Sequence, residues 1–185
     1  MHLIPTKVFS TFGVGHHEQQ LTAFQLALKA AGIHRLNHIC VSSILPPECE
    51  VLSRPNGVCL VPPGALTFGA YDKLSTMQLG VISAACGIAI PKDPKMYGYL
   101  SEHHSHEQSS IDAANYAADL AAQMLAAEYN LDYVIGLKDD ERQEQFNRFQ
   151  HIFTADSVVA SAQVQTTDQY VCVFAGYIFS DYKIV

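Results

Sequence analysis

A chain of 185 residues, 49% apolar and only 16% charged, fits one globular domain that buries about 70% of its unfolded surface. Its net charge of -7 argues against nucleic acid or an anionic membrane as main partner, and no apolar run nears the roughly 18 residues of a spanning helix. Five cysteines lack paired metal spacing; Cys40, Cys86 and Cys172 lie in apolar runs and read as reduced, buried thiols, and residues 1–6 lack a signal-peptide pattern, so a cytoplasmic protein is expected.

Residues 6–12 read as a first strand ending in Gly13-Val14-Gly15, a pattern that more often makes a tight strand-to-helix turn than a phosphate cradle. A helix follows from His16 to Ala31, with Leu21, Phe24, Leu28 and Ala31 on a core face and Gly32 as its stop. Glu18, Gln19, Gln25 and Lys29 remain as polar positions for solvent or a cleft. Residues 36–41 have the composition of a buried strand and run into Ser42-Ser43, after which Pro46 and Pro47 stiffen the exit. By composition the two serines are a polar turn, although a strand end is also where reactive groups are displayed.

Residues 48–64, rich in Pro, Gly and Cys, read as loops with a short strand at 57–61. Strands are expected at 65–71 and within the apolar stretch 77–90, whose Gly80, Ala84, Ala85 and Gly87 allow close packing. Residues 96–107 gather polar and aromatic groups in a loop ahead of a helix. Ser109 and Asp112 open that helix as a capping-box-like pair, and Ile111, Ala114, Ala118, Ala121 and Leu125 are its expected buried face. A short charged helix at 139–149 and two antiparallel strands, 152–162 and 169–179, joined through Thr166-Thr167-Asp168, close the chain. This order predicts a single α/β domain, residues 1–185, with a mixed sheet covered by helices.

His103-His104-Ser105-His106, between Glu102 and Glu107, first suggests a metal site. Ligands at successive loop positions diverge, however, and no i, i+4 histidines or cysteine pair completes a tetrahedron, so no metal is expected. A Ser-His-acid hydrolase lacks its Gly-x-Ser-x-Gly elbow.

Two motifs carry a more specific signal: Asn37-His38-Ile39-Cys40-Val41-Ser42-Ser43-Ile44-Leu45-Pro46-Pro47 and, further on, Pro94-Lys95-Met96-Tyr97-Gly98-Tyr99-Leu100-Ser101-Glu102-His103-His104. With Thr6-Lys7-Val8-Phe9, Gly13-Val14-Gly15 and Ala30-Ala31-Gly32-Ile33, the chain resembles the pyruvoyl-dependent arginine decarboxylases, closely over residues 6–128 and loosely beyond. The resemblance implies a layered sandwich of mixed, largely antiparallel sheets between helices. It also implies a homo-oligomer, a trimer or dimer of trimers, with active sites between subunits.

The resemblance further implies self-cleavage into 1–42 and 43–185. The Ser43 hydroxyl attacks the Ser42 carbonyl to make an ester, β-elimination frees the Ser42 carboxylate, and the dehydroalanine left at 43 loses ammonia to water and becomes a pyruvoyl group. That ketone takes the substrate amine and accepts the electrons released with carbon dioxide, so no external cofactor is needed. Ser43, Glu102 as proton donor and Asn37 as an amide donor to developing charge are the implied catalytic residues. Gln25, Leu28 and Asn37 are the implied substrate-binding positions, and His103 and His104 orienting or packing groups. The expected reaction turns arginine into agmatine and carbon dioxide. The position of Gln25 usually carries an acid in arginine-specific relatives, and a glutamine supplies no charge to a guanidinium; Glu18 or a neighbouring subunit's carboxylate would have to supply it. Two alternatives stay open: a different amino acid as substrate, and an unprocessed binding or assembly subunit.

Overall fold

The computed structural model describes residues 1–185. In chain order it contains β1 (Leu3–His17), α1 (Gln20–Ala30), β2 (Asn37–Cys40), β3 (Ile44–Leu45), β4 (Glu50–Leu52), α2 (Arg54–Leu60), β5 (Leu66–Thr76), β6 (Gly80–Pro91), β7 (Gly98–His106), α3 (Ser110–Glu128), α4 (Asp139–Phe149), β8 (Phe153–Val164) and β9 (Tyr170–Ile184). The strands form two sheets, ordered β2-β5-β9-β1-β4 and β3-β7-β6-β8. Only β1 with β4 and β2 with β5 run parallel, so both sheets together are mixed and largely antiparallel, as expected. No helix is long and apolar enough to cross a membrane.

Side-chain alternation explains the layering. On β9, Val171, Val173, Ala175, Tyr177 and Phe179 point into a core shared with Ile82, Ala84, Cys86 and Ile88 of β6, between the sheets. The intervening Cys172, Phe174 and Ile178 point the other way and pack on Ala23, Ala27 and Leu28 of α1. On β6, Ala85 and Ala89 face α3. The result is a helix-sheet-sheet-helix sandwich in which the central strands are buried on both faces. Each large buried side chain such as Phe174 contributes about 1.5–3 kcal/mol.

Several local expectations are corrected. β1 does not stop at the glycines but continues through them to His17, and the helix starts at Gln20 instead of His16. Gly13 and Gly15, two apart and so on one face, let α1 lie directly on the strand. A Cβ would sit 2.1 Å from the Ala27 carbonyl oxygen at position 13 and 2.1 Å from that of Ala23 at position 15. Gly15→Ala should therefore lower stability by about 1–3 kcal/mol or more through overpacking. In a thermal melt that is a fall in Tm of about 2–4 °C per kcal/mol; an unchanged Tm would contradict this close packing.

Residues 54–60 form α2, not a strand, because Pro55 presets the first helical turn and Gly57 seats the helix on the Phe9 ring. The expected loop at 96–107 is mostly β7, paired along its length with β6. β8 and β9 are strands but not partners: β8 pairs with β6 in one sheet and β9 with β1 and β5 in the other. α3 is capped by Ser109, whose Oγ accepts from the Asp112 N–H at 3.1 Å; it buries the expected Ala118, Ala121 and Leu125 together with Ala113 and Ala117, while Ile111 stays 69% exposed. The small face lets Ala117 approach Gly87 and accept a hydrogen bond from Ser101 Oγ at 2.7 Å. Likewise Leu21 is exposed on α1. β2 is an exposed edge strand, so Cys40 is exposed while Cys86 and Cys172 are buried.

Candidate active site

The chain changes sheets at the serine pair. β2 runs beside β5, and the Val41 N–H still donates to the Gly69 carbonyl at 3.1 Å; by Ile44 the chain is already in β3, paired with β7. The crossing closes in a tight turn centred on Ser43, in which the Ile44 N–H donates to the Ser42 carbonyl at 3.0 Å. The Leu100 N–H of β7 donates to the Ser43 carbonyl at 2.6 Å. Ser42 is exposed and Ser43 half-buried. The Ser42 carbonyl oxygen thus already meets an N–H where negative charge develops if its carbon is attacked.

Glu102 lies on the same face of β7 as Leu100, one two-residue repeat further along, about 7 Å. Leu100 points into the core between the sheets, so Glu102 also faces the gap toward the first sheet. Burial raises its carboxyl above the ordinary range, and the negative charge of Asp72 raises it further. Opposite Glu102 on β6 stands Cys86, fully buried; burial and the Glu102 charge hold its thiol well above the ordinary range, and its S–H donates to the Ala70 carbonyl at 3.5 Å. Asp72 reaches in from β5, its Oδ2 2.8 Å from His104 Nδ1.

His103 and His104 point to opposite faces of β7. His103 packs on Tyr116 of α3, ring centroids 4.5 Å apart, with its Nε2 2.7 Å from Gln108 Oε1. No group of three His, Cys, Asp or Glu side chains is placed to hold a metal ion.

The remaining sequence-derived candidates are not brought to Ser43 within one chain. Asn37 opens β2, roughly 15 Å or more along an extended chain from Ser42. Its Nδ2 donates to the Gly64 carbonyl at 2.8 Å, so in this chain the Ile44 N–H, not the Asn37 amide, holds the Ser42 carbonyl. Gln25 is exposed on α1, its Nε2 donating to the His34 carbonyl at 3.3 Å. Leu28 is 5% exposed, in the core beneath α1. Ser42 and Ser43 meet β7 at Leu100; Glu102 lies one strand repeat further along the same face, and the His104–Asp72 pair lies beyond Glu102. Sequence reasoning missed Asp72, a lone acid inside a strand that only the stacking of the sheets brings to the site. It also missed the Ile44 and Leu100 N–H groups, since backbone donors carry no residue signature.

Beside the crossing lies a largely apolar cavity of about 380 Å³, lined by Ser42, Val41, Ile44, Phe68, Phe179 and Tyr182 among others.

A family model described as pyruvoyl-dependent arginine decarboxylase matches residues 7–184. The chain is 41% identical over 164 residues to a probable pyruvoyl-dependent arginine decarboxylase of Chlorobium limicola, covering 88% of this chain and 91% of the relative. It is 36% identical over 176 residues to the pyruvoyl-dependent arginine decarboxylase of Nitrosopumilus maritimus, covering 95% and 96% respectively. It is 35% identical over 178 residues to pyruvoyl-dependent arginine decarboxylase 2 of Methanosarcina acetivorans, covering 96% and 97%.

Proposed function

The chain belongs to the pyruvoyl-dependent arginine decarboxylase family, and we propose from that premise that it cleaves itself between Ser42 and Ser43 and then converts arginine to agmatine and carbon dioxide. It is a carboxy-lyase whose prosthetic group is covalent, a pyruvoyl group made from a serine of the chain, with no external cofactor. The observation that carries the assignment of residues is the crossing itself. Ser43 sits in a turn whose preceding carbonyl accepts an N–H, pinned to β7 one strand repeat from Glu102.

That geometry suits each step of the cleavage. The Ser43 hydroxyl attacks the Ser42 carbonyl carbon, the C–N bond breaks, and the developing oxyanion keeps the Ile44 N–H. Loss of the residue-43 α-proton with cleavage of the Cβ–O bond frees the Ser42 carboxylate, and water then displaces ammonia. Fragment 1–42 cannot drift away, because its β1 lies between β9 and β4 of the other fragment.

The pyruvoyl ketone supplies an electrophile that accepts the electrons left when carbon dioxide departs. Glu102, its carboxyl raised above the ordinary range by burial and by the Asp72 charge, is the acid that returns a proton to the substrate α-carbon. Asn37 and Gln25 lie apart from Ser43 in one chain, which supports a site assembled between copies, a trimer or dimer of trimers, with α1 of one copy at the crossing of the next. Ile39 and Ile44, 39% and 43% exposed beside the crossing, suit such an interface.

Carbon dioxide release from arginine should exceed release from lysine, ornithine or histidine by roughly 100-fold or more, since a site built to hydrogen-bond a guanidinium rejects analogues without it. Equal or faster release from lysine or ornithine would assign the enzyme to another amino acid.

A further inference from the structure

We propose that Asp72, paired with His104 across the gap between the two sheets, is a positioning residue for Glu102: it sets a negative charge beside that carboxyl, and His104 governs how much of the charge Glu102 meets. The inference rests on the reading of Glu102 as the proton donor.

Two strands from different sheets build the cluster. Glu102 and His104 are two residues apart on β7 and share the face turned to the first sheet, from which β5 presents Asp72. The Asp72 side chain is only 20% exposed, and both of its oxygens are engaged. Oδ1 accepts the Lys73 backbone N–H at 2.7 Å, and Oδ2 lies 2.8 Å from His104 Nδ1. No Lys or Arg pairs with either carboxyl: the Lys73 ammonium lies 4.0 Å over the Phe24 ring on the far side of the sheet, and the lysine and arginine ion pairs, Lys7 with Asp181 and Arg142 with Asp119, lie elsewhere. From β6 the facing group is Cys86, a buried thiol held neutral, and next to it stands Tyr177 of β9, whose phenol burial also holds neutral.

Two carboxyls in one half-buried gap do not both ionise cheaply. Asp72 has an N–H and an imidazole on its oxygens, whereas Glu102 has no cation of its own and its carboxyl is raised by burial and by the Asp72 charge. A protonated His104 cancels much of the Asp72 charge, and a neutral one leaves it standing. The Asp72–His104 pair thereby tunes the acid.

The test uses two variants with opposite expected signs. Infrared titration of the Ser43→Ala chain, with Glu102→Gln to identify the band, reads the protonation midpoint of Glu102 without any prosthetic group. Asp72→Asn removes the like charge and should lower that midpoint. His104→Gln removes the counter-charge and should raise it. The pH limb of arginine decarboxylation by the cleaved enzyme should move the same two ways. A midpoint unmoved by Asp72→Asn, or both variants shifting it in one direction as a packing defect would, overturns the proposal. An enzyme that cleaves and decarboxylates arginine while those midpoints stay fixed would overturn this inference alone. Failure of the unmodified chain to cleave would strike the reading beneath it, with the Ser43→Ala titration still deciding the role of Asp72.

Discussion

Ser43→Ala is expected to yield one uncleaved chain of full length that folds normally and releases no carbon dioxide from arginine. Without the hydroxyl there is no attack on the Ser42 carbonyl, no ester and no electrophile. Losing that electrophile removes a rate enhancement on the order of 10⁶-fold or more. The fold should survive, because the contacts that hold the crossing are made by main chain: Leu100 N–H to the Ser43 carbonyl and Ile44 N–H to the Ser42 carbonyl. Its Tm should stay within about 2–4 °C of the parent chain, the shift expected of 1 kcal/mol in a protein this size. The neighbouring serine gives the contrast. In the proposed cleavage Ser42 contributes only a carbonyl, so Ser42→Ala should still cleave at the same bond. Mass analysis of the two variants checks both outcomes. A cleaved Ser43→Ala chain, or an uncleaved Ser42→Ala chain with normal folding, would reverse the assignment.

Glu102→Gln should separate the two halves of the chemistry. The variant keeps the size and much of the polarity of the side chain but has no proton to donate. It should cleave, since the attack at Ser42 relies on Ser43 and backbone donors, and then decarboxylate arginine about 10²–10⁴-fold more slowly. The pH dependence is set by the direction in which burial and Asp72 move this carboxyl. In the proposed mechanism the working form is protonated, and because the carboxyl's proton affinity is raised, activity should persist above the pH at which an ordinary carboxylic acid is empty. It is lost as pH rises through the raised value, and Glu102→Gln should erase that limb from the kcat profile. A variant with an unchanged rate and an unchanged limb would place the proton donor elsewhere.

Several features of the fold were legible because each rests on local chemistry. Ser109 with Asp112 marked the start of α3 through hydrogen bonds within one turn, and the charged run at 139–149 coincides with α4. The serine pair could be placed at a strand end because Pro46 and Pro47 restrict the backbone just beyond it. The features that were not legible depend on partners far along the chain. Gly13-Val14-Gly15 looks the same whether it turns or lies flat under a helix; only the carbonyls of Ala23 and Ala27, packed against it, decide. β7 reads as a loop because Glu102, His103, His104 and His106 replace the apolar residues a strand between two layers usually carries. Pairing with β6 overrides that pattern, with Glu102 and His104 turned to the gap and His103 to Tyr116 of α3. β8 and β9 each show strand alternation, but alternation names the faces of a strand and not its neighbour, so their separation into different sheets was invisible. Asp72 was missed for the same reason. It comes near Glu102 only when β5 and β7 are stacked, whereas Ser43 and Glu102 were proposed through the motifs in which they stand.

The central claim is that this chain cuts itself between Ser42 and Ser43, and intact-mass measurement of the purified, unmodified protein under native and then denaturing conditions tests it most directly. The account predicts one assembly that separates on denaturation into residues 1–42, ending in a free Ser42 carboxylate, and residues 43–185, beginning with a pyruvoyl group in place of an amino terminus. A single unbroken 185-residue chain under both conditions would contradict it.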